Sequence, residues 1–175
     1  MTNSPETKSG TLFSSLRYSI AADGPVVVAY QLKSPENMGH IIRVACNFGC
    51  AKVLFIGHEQ SVRHSKIKKV AGAAAGQIEW LFCDPDNWKS HIPIDYDIVA
   101  IETVHDSANL MEGKLPKKMV VVLGNEIHGL PQEILAHINS FYHIPMIGAI
   151  KSMNVSQACS VALYEWLRQN LNITQ

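Results

Sequence analysis

Much of what would give a 175-residue chain a quick assignment is missing from this one. No apolar run approaches the roughly 18–20 residues a membrane-spanning helix needs. The opening residues, Met1 to Gly10, are polar and lack the basic-then-apolar layout of a secretory signal. Only four cysteines occur (Cys46, Cys50, Cys83 and Cys159), and none forms a Cys-x-x-Cys pair or suggests a disulfide framework. The expectation is a cytoplasmic protein with reduced thiols. The eight histidines fall at no metal-ligand spacing, and Cys46 and Cys50, four apart, suit a packed helix face, so no metal is expected. No Gly-x-Gly-x-x-Gly occurs, which argues against a nucleotide-dependent oxidoreductase, and no Gly-Lys-Ser/Thr occurs, which excludes a P-loop. No Ser-His-Asp arrangement stands out, so a covalent intermediate has no support.

Net charge is missing as well: 15 Lys and Arg balance 15 Asp and Glu. A domain that grips nucleic acid through phosphates over its whole surface carries a basic excess. Any such grip here must be a local patch. What remains, with 47% hydrophobic and 17% charged residues, is the composition of one ordinary folded domain with a real core.

Apolar runs of strand length alternate with helical spacing. Val26 to Leu32, rich in β-branched residues, reads as a buried strand, and Lys52 to Ile56, Ile78 to Phe82, Asp97 to Ile101, Met119 to Leu123 and Phe141 to Ile144 read as further strands. Asn37 to Phe48, Ser61 to Ala75 and Asn154 to Leu171 read as helices, the last with a stripe of Val155, Ala158, Cys159, Ala162, Leu163, Trp166 and Leu167. Near-continuous apolar strands between helices predict an α/β fold: a parallel sheet with helices on both faces. Residues 1–24 are expected to be an N-terminal arm or a short helix carrying Phe13, Leu16 and Tyr18, and residues 25–175 the folded domain. Ligands of such sheets bind beyond the carboxyl ends of the strands, which directs attention to the residues after Leu123 and Ile144.

Three motifs sit at such places. Asn37-x-Gly39-x-x-x-Arg43 opens the first helix, with Asn37 a natural N-cap. Gly39 inside the first turn costs roughly 1 kcal/mol against alanine, which suits a close backbone approach, and Arg43 is expected one turn further along near the same face. Gly124-Asn125-Glu126-x-x-Gly129-Leu130-Pro131 follows the Met119–Leu123 strand and makes a tight, exposed turn. Ile144-Pro145-Met146-x-Gly148 leads into Ser152-Met153-Asn154-Val155-Ser156-x-Ala158 at the start of the long helix. A cap needs one polar side chain and this cluster has three. Each motif alone is explained by helix capping or an ordinary loop.

Together, in this order and each after a strand, they resemble the SpoU family of RNA 2′-O-ribose methyltransferases within the SPOUT class, close to its TrmH-like branch. The resemblance covers about Pro25 to about Leu171. It implies an α/β-knot fold with a deep C-terminal trefoil knot, S-adenosyl-L-methionine as cofactor, and a homodimer formed through the knot region with Trp166 and its neighbours at the interface. Cofactor contacts would fall on Thr103, Leu123, Gly124, Ile144, Met146, Ser152, Met153 and Ala158. The catalytic set would be Arg43 with Asn37, Glu126, Ser152 and Asn154. A guanidinium is a poor proton acceptor because it keeps its own proton. Holding a phosphate in a bidentate grip and stabilising a developing alkoxide suits Arg43 better. RNA contacts would be Arg17 and the cluster Arg63, Lys66, Lys68 and Lys69, whose alternative is a solvated helix face. The expected substrate is an RNA ribose 2′-hydroxyl, tRNA ahead of ribosomal RNA; a non-catalytic RNA-binding relative is the alternative.

Overall fold

The computed structural model describes residues 17–20, 23–59 and 62–174. In chain order these form β1 (Arg17–Ile20), β2 (Val26–Tyr30), α1 (Pro35–Asn47), β3 (Lys52–Ile56), α2 (His64–Ala71) running into a 3-10 turn (Gly72–Gly76), and β4 (Glu79–Cys83). A second 3-10 turn (Trp88–His91), β5 (Asp97–Ile101), β6 (Ala108–Asn109) and β7 (Met119–Leu123) follow. The chain then makes a one-turn α3 (Gln132–Leu135), β8 (Ser140–His143), the long α4 (Val155–Asn170) and β9 (Leu171–Thr174).

Seven strands form one sheet in the order β4-β3-β2-β7-β5-β8-β6, with every described pairing parallel. The two central strands, β2 and β7, are buried at all five positions. An all-apolar run of β-branched residues is what a strand covered on both faces requires. One face carries Val27, Ala29, Val53, Phe55, Val121 and Leu123 against α1, α2 and α4. The other carries Val26, Val28, Leu54, Ile56, Val120 and Val122 against Trp88, Leu130 and Ile134. That second layer is thinner than the alternation of elements suggests, since α3 is one turn long.

Three details of the helices differ from expectation. The N-cap of α1 is Ser34, not Asn37: the Ser34 hydroxyl accepts the Asn37 amide at 3.2 Å, and Pro35 takes the first helical position. Asn37 is thereby released from capping. The helix ends at Asn47, so Cys50 lies beyond it, buried in the core. The second helix is shorter than Ser61–Ala75: it runs from His64 to Ala71 and stops at Gly72, whose φ of +62° breaks the helical path. Ser61 lies outside the described residues.

Gly39 meets its expectation. A Cβ there would lie 2.6 Å from the Val70 Cβ and 2.8 Å from the Ile67 carbonyl, so α1 and α2 touch at a distance only glycine permits. At the chain's start, Tyr18 belongs to a strand rather than a helix, because β1 pairs antiparallel with β9; Phe13 and Leu16 lie outside the described residues. Trp166 is 1% exposed, and its indole donates to the carbonyls of Pro116 and Lys117 at 3.0 and 3.2 Å. It is therefore a core residue of its own chain and not an interface residue.

Candidate active site at the carboxyl end of the sheet

The strands neighbouring β2 and β7 are reached in opposite directions: β2 leads outward to β3 and β4, and β7 leads past β5 to β8. This reversal is where a parallel sheet opens a crevice. A cleft of 520 Å³ lies there, at the carboxyl ends of β5, β7 and β8. Thr103, Leu123, Gly124, Ile144, Met146, Ser152, Met153 and Ala158 all line it, as do Glu126 and Asn154.

The loop after β7 is held by its own backbone. Asn125 and Gly129 exchange both amide-to-carbonyl bonds at 3.0 Å, and the Asn125 side chain accepts the Ile127 amide at 2.9 Å. Gly129 closes the turn at φ +65°, which favours glycine. Glu126 is left at the tip. Its carboxylate accepts from Asn37 Nδ2 at 2.9 Å, and Asn37 Oδ1 accepts from Asn154 Nδ2 at 3.0 Å. Asn154 is also the N-cap of α4, accepting the Ser156 amide at 2.9 Å and the Ser156 hydroxyl at 2.7 Å. One polar chain, Glu126–Asn37–Asn154–Ser156, therefore ties the three sequence motifs together across the mouth of the cleft.

Arg43 stands apart. It is exposed, has no hydrogen-bond or ion-pair partner among the described residues, and is absent from the cleft lining. The nearest mark of its position is Gly72, where an added Cβ would lie 3.5 Å from Arg43 Nη1. Six helical residues turn the chain through roughly 600°, which puts Arg43 on a different face from Asn37 while keeping it one turn beyond Gly39. The expectation of a face shared by all three holds only for Gly39 and Arg43.

In the cationic cluster, Lys66 is ion-paired with Glu36. Arg63, Lys68 and Lys69 are exposed, with no ion pair among the described residues. The side chain of Arg17 lies outside what is described.

Glu102 was not singled out from sequence. Its carboxylate Oε1 accepts the Thr103 amide at 3.1 Å, and Oε2 lies within 2.9 Å of where side chains on Gly124 or Gly129 would begin. Only two glycines leave room for that carboxylate in the cleft wall. The signal available was its position at the end of β5. Lys151, which donates to the Met146 carbonyl at 2.6 Å and pins the preceding loop, and His143 also line the cleft.

The fold and site define a parallel α/β domain with a ligand cleft at the crevice of its sheet. A family model described as the SpoU rRNA Methylase family matches residues 24–164, and the chain belongs to that family. The tRNA (cytidine(34)-2′-O)-methyltransferase of Saccharophagus degradans is 33% identical over 153 residues, covering 82% of this chain and 94% of that protein. The tRNA (guanosine(18)-2′-O)-methyltransferase of Aquifex aeolicus is 30% identical over 153 residues, covering 82% and 69%. The structure of the SpoU methyltransferase AviRb from Streptomyces viridochromogenes matches with a TM-score of 0.77 at 22% identity, over 86% of this chain and 61% of that one, a likeness of fold. Other curated relatives are longer: the chain spans 62% of the guanosine-18 enzyme of Escherichia coli and 9% of a mouse one.

Proposed function

We propose that this chain transfers a methyl group from S-adenosyl-L-methionine to a ribose 2′-hydroxyl of RNA, with tRNA ahead of ribosomal RNA. The observation that carries the reading is the convergence of the eight expected cofactor residues on one cleft, beside a polar chain joining Glu126, Asn37 and Asn154. The cleft suits that cofactor chemically. Leu123, Ile144, Met146, Met153 and Val155 offer apolar surface for an adenine ring, while Glu102 and Thr103 offer polar groups for hydroxyls or an ammonium.

The bound cofactor supplies an electrophilic sulfonium methyl, so the protein's work is positioning and charge control. Asn37, Asn154 and Glu126 shape the mouth of the cleft where a ribose would enter, and Ser152 adds a hydroxyl at the same edge. Arg43, exposed and without a partner among the described residues, is free to grip an RNA phosphate in a bidentate manner and stabilise charge developing on the ribose oxygen. Arg63, Lys68 and Lys69 extend that grip along α2, and Arg17 belongs to the same reading.

Near-complete coverage of a relative named for tRNA supports the tRNA preference. The proposal also includes a catalytic domain of residues 25–175 preceded by an arm, a C-terminal trefoil knot, a cytoplasmic setting and a homodimer. Exposed Ile127, Ile147 and Ile150 beside the cleft, with Tyr164 on α4, give a second copy apolar surface to cover. The test is transfer of labelled methyl from S-adenosylmethionine into bulk tRNA and, separately, ribosomal RNA, followed by nuclease mapping. Label in a nuclease-resistant dinucleotide is the expected result. Cofactor binding with no label in either pool overturns the enzymatic reading in favour of a binding relative.

A further inference from the structure

A second concavity, of 460 Å³, lies on the other side of the crevice, at the carboxyl ends of β2 and β3. Its floor is apolar: Leu32, Met38 and Phe55 are each 5% exposed or less, and Phe82 joins them from β4. Phe82 is held in place by the His64 ring stacked at 5.3 Å. The rim is polar, with Gln31 and Lys33 both exposed. The volume falls within the range of small-ligand sites, and an apolar floor with a few polar rim groups is their usual make-up.

Gln31 is the unusual residue. Its φ of +44° is the only positive value at a non-glycine position among the described residues. Two bonds hold that conformation: its amide donates to the Ile56 carbonyl at 2.7 Å, and its carbonyl accepts from Asn125 Nδ2 at 2.6 Å. Asn125 lines the cofactor cleft, while Gln31 lines the second cavity. The two hollows therefore meet at the Gln31–Asn125 bond, which joins the lining of one to the lining of the other. A backbone held in a sparsely populated region by its neighbours is a recurrent mark of ligand-contacting positions. The Gln31 side-chain amide itself has no hydrogen-bond partner among the described residues, so it is available to a ligand.

We propose that this cavity receives the base of the nucleotide being methylated, with the Gln31 amide reading the base's polar edge. The inference rests on the proposed methyl transfer. A ribose presenting its 2′-hydroxyl to the cleft carries its base on the adjacent ring carbon. That base must leave the cleft by the nearest route, and the cavity across the Gln31–Asn125 bond is adjacent and has an apolar floor. An unstacked base buried on apolar side chains and hydrogen-bonded along its edge is how single-stranded RNA positions are read.

The test has two arms. Saturation-transfer NMR with each of the four ribonucleoside 5′-monophosphates, in the presence of S-adenosylhomocysteine, should show one bound in preference to the others. Val62→Phe, which fills the cavity from its edge, should abolish that signal while leaving cofactor affinity intact. In the second arm, Gln31→Glu keeps the backbone bonds to Ile56 and Asn125 but replaces a donor with an acceptor. It should shift the kcat/KM ratio between RNAs differing only at the target base by about tenfold or more, the scale of one good edge contact. An unchanged ratio, or a nucleotide signal surviving Val62→Phe, overturns the base subsite while leaving the methyltransferase reading in place. Wild-type protein that methylates no RNA defeats that reading instead, and the nucleotide arm then decides the cavity separately.

Discussion

Asn37 Nδ2 lies 2.9 Å from Glu126 Oε1, although the two residues are 89 positions apart in the chain. The bond joins the first turn of α1 to the tip of the loop after β7, and because it is exposed it does little for stability. Asn37→Ala should lower the unfolding free energy by less than about 1 kcal/mol, the ordinary net value of one hydrogen bond. Methyl transfer should fall much further, because the loop at the cleft mouth loses its anchor. Glu126→Gln keeps an acceptor for Asn37 and should be milder than Glu126→Ala. Thermal melts paired with transfer assays check both.

Arg43→Ala is expected to reduce methyl transfer by about two orders of magnitude or more, the scale of removing one charge-stabilising group. Cofactor affinity should stay the same, because Arg43 lies outside the cleft lining. Calorimetric titration of S-adenosylmethionine into the variant separates the two effects. Wild-type turnover would remove Arg43 from the mechanism.

The lysines of α2 should not be equivalent. Replacing Lys68 and Lys69 by glutamine should reduce the slope of log affinity against log salt by about one for each phosphate no longer neutralised. Lys66 already has Glu36 as a partner, so Lys66→Gln should change the slope less. Filter binding of RNA across a salt series gives the comparison.

Gly39→Ala gains roughly 1 kcal/mol of helix propensity. It also drives a methyl group to 2.6 Å from the Val70 Cβ and 2.8 Å from the Ile67 carbonyl. Overpacking of this kind costs about 1–3 kcal/mol, and a backbone carbonyl cannot move aside cheaply, so the variant should be net destabilised. Adding Val70→Ala should recover part of the stability, as read by chemical denaturation.

Burial pushes the Cys159 thiol from 9.0 up to about 12. The folded state then keeps a proton that the unfolded chain releases, so this stability is fully present below pH 9 and is lost as pH rises toward 12. The decline should approach about 1.4 kcal/mol per pH unit for this group. Denaturation midpoints of the wild type and Cys159→Ala, measured through the alkaline range, should converge as the wild type loses this contribution.

The legible parts of the molecule were those set by local pattern. Strands such as Met119–Leu123 announce themselves as buried β-branched runs, and the rule that ligands sit beyond strand ends points to the stretches after Leu123 and Ile144, while the individual cleft residues were named by the family resemblance. The elements that local pattern does not reveal owe their form to distant partners. β6 is two residues long and exists because β8 is beside it, and β1 is a strand only because β9 returns to pair with it. Ser34 outcompetes Asn37 as the cap because Pro35 fixes where the helix begins. The separation of Arg43 from Asn37 was within reach, since it is a matter of helical angle. Glu102 and the left-handed Gln31 were not, because what makes them special is the approach of Gly124 and Asn125 from elsewhere in the chain.

The pairing of β1 with β9 also decides how the molecule bears load. Arg17 stands opposite Thr174, and Ile20 opposite Leu171, so a force applied to the two outer ends opens this ribbon like a zipper, one rung at a time. The parallel sheet behind it feels tension only after the last rung has parted. Any tether joined at residues 17 and 174 would therefore detach softly while the cleft keeps its shape.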